Sequence, residues 1–348
     1  MILLTPGPCM TSDSVRAAAA LPDLNHRDPL YLGVQREVRA KLASLFGGLA
    51  PYLIGGSGTA AMEATVTSCI ERGPCLVVSN GYYASRYARI FDAHQIDHQV
   101  LDFPWSSAWD LKKIEERLEG GGFEAVLATH HETSTGRLNG VAGLAKLAAK
   151  HKTALLVDAV SSLGAEPFPF EGVQALFSSA NKCLHGLPGV SFALLEPTFA
   201  SRIKSFPPRT YYLHLPMYEG DRPPLTPPVP AMRAFLQALT EFVAEGGVDA
   251  RHARYSRQAA RIRSALRELG CGTYTPDSEA SCAVTVATIP SGFVADTWMK
   301  TNYEAGFVLF ECKGDLRETH FQVSTMGEVT DEMVEAWLAF VRGVCKGG

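Results

Sequence analysis

The 348-residue chain has no CxxC pair, no run of charge of one sign, no internal repeat and no low-complexity tract. It also lacks any apolar stretch near the ~20 residues that a membrane span requires. Each absence removes a class of function. With no basic tract and a formal net charge of -4, neither nucleic acid nor a membrane surface is an expected partner. The eight cysteines (Cys9, Cys69, Cys75, Cys183, Cys271, Cys282, Cys312 and Cys345) are scattered, which reads as reduced thiols rather than a disulfide frame or a zinc site. No metal is expected. The opening "MILLTPGPCM" has too short an apolar run and no basic leader for a secretory signal, so a cytoplasmic location is expected. What remains is a globular chain, 46% hydrophobic and 20% charged, long enough for a large domain with a smaller one appended. Small-molecule chemistry is the default for such a chain.

Between residues 50 and 200, short β-rich runs alternate with amphipathic stretches. "CLVVSN" (75–80), "AVLATHHE" (125–132), "ALLVDAV" (154–160), "ALFSSA" (175–180) and "SFALLE" (191–196) read as strands. "GLAKLAAKHK" (143–152) carries Leu144, Leu147 and Ala148 at helical spacing. Continuous apolar strands separated by helices predict a mostly parallel sheet covered on both faces, an α/β architecture in which ligands gather at the carboxyl ends of the strands. Those ends are polar: Asn80, "HHETSTG", Asp158 and Asn181-Lys182. Farther on, Met232, Phe235, Leu236, Leu239, Phe242 and Val243 mark a helix that "EGG" (245–247) breaks. Beyond it, "AVTVATI" (283–289) and "THFQVS" (319–324) read as strands of a smaller α+β domain. The expected division is an arm over 1–14, a large domain over 15–246 and a small domain over 247–348. The Pro-rich, aromatic segment 205–232 is too apolar to be a free linker and is expected to pack on something, such as another subunit.

Three features could carry chemistry together. "YLIGGSGTAAMEATVTSCI" (52–70) sets a Gly-rich turn before an Ala-rich helix, where backbone N–H groups can hold a phosphate, although Ser57 or Thr59 could equally be an ordinary helix cap. Asp158 ends a buried strand and could be either a cap or a functional carboxylate. Lys182 ends the next strand, where an ammonium is costly to bury. A lysine can form an imine with an aldehyde, and an aspartate can hold a heterocyclic nitrogen protonated. With a phosphate cup, these are the handles of pyridoxal phosphate.

The stretches "LLTPGP", "GSGTAAMEA", "HHETSTGRLN", "LLVDAVSSLG" and "SSANKCLHGLPG" occur in an order that resembles the class V aminotransferases of fold type I. The resemblance spans nearly the whole chain and implies pyridoxal 5'-phosphate as cofactor. It is greatest to the branch acting on 2-aminoethylphosphonate, with a 2-oxo acid as acceptor. It further implies that Lys182 is the Schiff-base lysine and Asp158 the partner of the ring nitrogen, and that Ser57, Gly58 and Thr59 bind the phosphate. Tyr83, rather than Tyr82, would stack on the ring, Thr133 would lie near its phenolic oxygen, Val160 would pack beneath it, and Asn181 would lie near the phosphate. Thr226 would reach the phosphate of the neighbouring subunit's site, which implies a homodimer with shared active sites.

One position departs from the pattern. Where relatives place an arginine that grips the substrate's anionic group, "HFQVSTMGEV" has Gln322, and an amide cannot supply a charged fork. Arg27 and Arg86, with Lys313, Arg317 and His320, are the other candidates for that contact. The alternative is that the same cofactor serves elimination, replacement or carbon-carbon bond formation in a specialised pathway. His94 and His98 share helical i,i+4 spacing without the glutamate of a zinc-protease helix, and read as a solvated helix end.

Overall fold

In the computed structural model, which describes residues 1–346, seven strands form one central sheet. They are β1 (Ala50–Gly56), β2 (Cys75–Ser79), β3 (His98–Asp102), β4 (Ala125–Thr129), β5 (Ala154–Asp158), β6 (Ala175–Ser179) and β7 (Gly189–Leu195). Their order across the sheet is β1-β7-β6-β5-β4-β2-β3. Only β7 runs against its neighbours, β1 and β6; the other four pairings are parallel. The sequence runs explain this burial. In β2, Leu76 and Val78 enter one core while Cys75 and Val77 enter the other, and β4 divides in the same way. Helices Pro29–Leu45, Val141–Lys150 and Val229–Glu245 supply side chains to the first core, and Gly58–Cys69 and Arg86–Ala93 to the second.

Two strands were not legible as such. β1 contains Pro51 and ends in Gly55-Gly56, a composition that argues against a strand; it lies at the sheet's edge, where a missing N–H is tolerated. β3 is polar and partly exposed, and it forms the opposite edge. The structure also corrects boundaries. The run 125–132 is not one strand: it stops at Thr129, and His131–Glu132 pairs instead with Arg137–Leu138 in a hairpin turned at Gly136, whose φ is +73°. His94 follows a helix that ends at Ala93, and His98 opens β3, so the expected helical face holding both histidines does not form. Val243, read as part of the apolar stripe, is 49% exposed.

Helix Val229–Glu245 ends on Gly246 at φ +108°, and helix Gly247–Glu268 begins at once. It packs with helix Asp331–Lys346 on a three-stranded antiparallel sheet of Val284–Thr288, His320–Ser324 and Phe310–Glu311, around the buried Trp298 and Trp337. At the N-terminal end, Ile2–Leu3 pairs in parallel with Phe307–Val308. The Pro-rich segment covers helix Gly58–Cys69, where the Ser68 hydroxyl donates to Leu213 O at 3.2 Å and accepts from Leu215 N at 2.9 Å. Tyr211 in that segment remains 73% exposed. Among the described residues no helix is long and apolar enough to cross a membrane.

Candidate active site

A cavity of about 200 Å³ opens at the carboxyl ends of β4, β5 and β6. Ser57, Gly58 and Thr59 form one part of its wall, at the start of helix Gly58–Cys69. Ser57 occupies the cap position in extended conformation but makes no side-chain cap bond, so its hydroxyl and the first helical N–H groups remain available to an anion. Gly58 must be small: a Cβ there would lie 3.1 Å from Val160 Cγ1. Arg86 donates to Thr59 Oγ1 at 3.1 Å, and its guanidinium lies 5.1 Å from the centre of the Tyr83 ring.

Asp158 lies elsewhere on the wall, buried, with each carboxylate oxygen engaged. Oδ1 accepts from Val160 N at 2.8 Å and Oδ2 from the Tyr87 hydroxyl at 2.6 Å. Burial pushes the Asp158 carboxyl above its usual range, while the Tyr87 and Val160 donors pull it back. A positively charged partner in the cavity would therefore be strongly favoured. The aspartate is a strand end held by a phenol rather than a cap, since no helix follows β5 directly.

Lys182 lies in the turn after β6, and its Nζ donates to Pro6 O at 2.6 Å. Gly7, at φ +112°, lies so close that a Cβ would come within 2.5 Å of Lys182 Cδ. Burial pushes the Lys182 ammonium below its ordinary range, which favours the free amine that attack on a carbonyl requires. The turn is braced from behind: His185, at φ +55°, meets Glu328 at 2.9 Å and the Tyr255 hydroxyl, and Arg251 donates to Cys183 O at 2.6 Å.

His131 completes the wall. Its Nδ1 must donate to Ser161 O, 3.0 Å away, which leaves Nε2 as a bare acceptor; that atom is buried and has no protein partner. A ligand carrying a donor would satisfy it. Thr133 donates to Ser161 Oγ at 2.7 Å, and Asn181 Oδ1 accepts from Ser179 Oγ. The cavity thus brings together Ser57, Gly58, Thr59, Tyr83, Arg86, Thr133, Asp158, Val160, Asn181 and Lys182.

Six candidates lie off it within one chain. Thr226 is in a separate crevice with Tyr212 and Pro223, and Arg27 is in another with His26 and Arg222. Gln322 is fully buried behind the wall, with Nε2 donating to Thr133 O at 2.8 Å and Oε1 unpartnered. Lys313, Arg317 and His320 do not line the cavity either. Sequence reading missed Tyr87 and the Pro6-Gly7 contact. Tyr87 lies one residue beyond Arg86, which was noticed, but nothing in the spacing joins it to residue 158.

The model of the family described as aminotransferase class-V matches residues 33–296. The chain belongs to that family. This aminotransferase is 32% identical to a 2-aminoethylphosphonate–pyruvate transaminase of Klebsiella pneumoniae, over 98% of this chain and 96% of that one. It is 34% identical to a bifunctional phosphonoacetaldehyde hydrolase/aminoethylphosphonate transaminase of Clostridioides difficile, over 94% of this chain and 54% of that one. Among solved structures, the aspartate aminotransferase of Thermus thermophilus superposes with a TM-score of 0.91 at 26% identity, covering 100% of this chain and 99% of its own. The fold is therefore fold type I, and the aminotransferase uses pyridoxal 5'-phosphate. The cavity fits that group: an unspent helix start for a phosphate, a buried amine for a carbonyl, a buried anion for a ring nitrogen, and an orphan acceptor on the same wall.

Proposed function

We propose that this aminotransferase moves the amino group of a small aminoalkylphosphonate, 2-aminoethylphosphonate or a close analogue, to a 2-oxo acid. The observation that carries the reading is Arg86, the cation other than Lys182 on the cavity wall, held beside the helix start by Thr59. The names of the similar transaminases supply the substrate class. When bound, pyridoxal phosphate supplies the carbonyl that takes up the amine and a ring that accepts the electron pair released at the substrate carbon.

The chain's residues do the rest. Lys182 Nζ is the group that binds the cofactor and then carries the proton to and from the substrate carbon. Asp158, fixed by Tyr87 and Val160, holds negative charge where the ring nitrogen needs it. Ser57, Gly58 and Thr59 hold the phosphate, with Asn181 nearby; Tyr83 and Val160 sandwich the ring, and Thr133 orients its oxygen. Arg86 reads the substrate anion. The same proposal divides the chain at residues 14 and 246, and makes it a cytoplasmic homodimer in which Thr226 serves the neighbouring subunit's cavity.

Incubation with 2-aminoethylphosphonate and pyruvate tests the reaction: phosphonoacetaldehyde and alanine are expected in equal amounts, with the cofactor regenerated. Alanine without the aldehyde, or no turnover with any phosphonate amine, would overturn the substrate class. For the subunit proposal, cofactor affinity is expected to fall as the protein is diluted below its dimer dissociation constant. A monomer that keeps full affinity would rule out the Thr226 contact.

Gln322 gives a sharper prediction. With Arg86 reading the anion, an arginine at the fully buried position 322 gives up the bond to Thr133 O and sets an unpaired charge behind the wall, so Gln322→Arg is expected to lower kcat/KM for the native amine about 10-fold or more. Equal kcat/KM values in wild type and variant would show that the position has no part in selectivity.

A further inference from the structure

Behind the cavity, where the loop after β5 meets helix Gly247–Glu268 and the strand Val284–Thr288, three potential ligand side chains converge without serving the reaction described above. They are Glu166, His252 and Cys282, and their ligand atoms all lie within 4.8 Å of one another. His252 Nδ1 is 3.3 Å from Glu166 Oε2 and 3.5 Å from Cys282 Sγ. A backbone carbonyl, Ala165 O, faces the same point, 2.8 Å from His252 Nδ1 and 3.6 Å from Cys282 Sγ.

These separations are those of a tetrahedral site. Zinc bonds of about 2.0–2.1 Å to nitrogen and oxygen and about 2.3 Å to sulfur place neighbouring ligand atoms roughly 3.3–3.6 Å apart. Only the His252–Ala165 separation is short, and it lengthens once the Nδ1 proton that now bridges them is gone. The carboxylate is already aimed. Its Oε1 accepts from Ser281 Oγ at 2.6 Å and Cys282 N at 2.7 Å, which fixes the group and turns Oε2 toward the histidine. Ser256 Oγ lies 3.4 Å from His252 Nε2, a partner for the ring's far nitrogen. Glu166 and Cys282 are buried, while the His252 side chain is 37% exposed and provides an entry path.

We propose that Glu166, His252 and Cys282, with the Ala165 carbonyl, form a binding site for one zinc-like divalent cation. The mixed sulfur, nitrogen and oxygen donor set suits a borderline ion and is a poor one for magnesium or calcium. On binding, the Cys282 thiol gives up its proton to solvent and His252 Nδ1 presents its lone pair to the ion, while the Glu166 carboxylate stays ionised. The ion would tie the loop after β5 to the C-terminal layer, and none of its ligands lines the cavity, so the site does not depend on the substrate proposed above.

The test uses the holoenzyme, stripped of adventitious metal with a chelator and loaded with Zn2+ or Co2+ alone. After gel filtration about one ion per chain is expected to remain, and Co2+ is expected to give intense tetrahedral bands to the red of the cofactor's absorption. Both signals should be lost in Cys282→Ala and in His252→Ala. They should persist in His151→Ala, which alters the exposed Glu115, Glu119 and His151 group instead. His252 lies on a half-exposed helix surface, so His252→Ala carries the test even if Cys282→Ala fails to fold. No retained ion in the wild type, or undiminished retention in His252→Ala, would overturn the site.

Discussion

Lys182→Ala is expected to abolish transamination and to leave a folded protein that takes up pyridoxal phosphate but from which borohydride fixes none. The substitution removes the amine facing the cavity and leaves only one protein group, Pro6 O, without its partner. That carbonyl can be satisfied by water in the space the side chain vacates, so the fold should survive. The burial that pushes the wild-type ammonium down disappears with it, so stability should not suffer. Mass spectrometry of the borohydride-treated protein reads the result. A cofactor-bearing peptide containing another lysine would place the attachment elsewhere and end the assignment.

Asp158→Asn is expected to lower kcat by about 10²- to 10³-fold at saturating cofactor, the scale of losing one preorganised charge at a reacting centre. An asparagine has the same shape. Its carbonyl oxygen can still accept from Val160 N, and its amide can adjust to Tyr87, so packing and the Ser57–Thr59 end of the cavity should remain as they are. What is lost is the fixed negative charge. Tyr87→Phe provides the contrast, because it keeps the charge and removes only the phenol that steadies Oδ2; a smaller loss, together with a shifted pH profile, is expected. A folded, cofactor-saturated Asp158→Asn protein turning over near the wild-type rate would remove the carboxylate from the reaction.

Much of this site could be read from the chain because its parts lie at strand ends. Continuous apolar runs such as "ALLV" and "ALFSS" make their own positions evident, and a charged residue directly after them is conspicuous. Asp158 and Lys182 stood out for that reason. The edge strands did not, since β1 carries proline and paired glycines and β3 is half polar, as edges permit. Tyr87 was illegible because a tyrosine on a short helix looks like core until the opposing residue is known. The role of His131 as an unpartnered acceptor depends on Ser161 O, a contact between a hairpin and a loop that no periodicity encodes. The Glu166, His252 and Cys282 group was invisible for the same reason, its members coming from three separated segments.

The strand formed by Ile2 and Leu3 has a consequence for the order in which the molecule is made. Its partners, Phe307 and Val308, lie about 300 residues farther along the chain, and Pro6 and Gly7 reach Lys182 from that anchored strand. During translation the seven-stranded sheet can assemble while the lysine stays open to water on the side that Pro6 will cover. Ile2 and Leu3 must wait for residues synthesised much later before they can dock. A nascent chain halted before Phe307 would therefore hold a formed sheet and an uncovered Lys182, able to meet aldehydes in the cell without the enclosure that directs its chemistry.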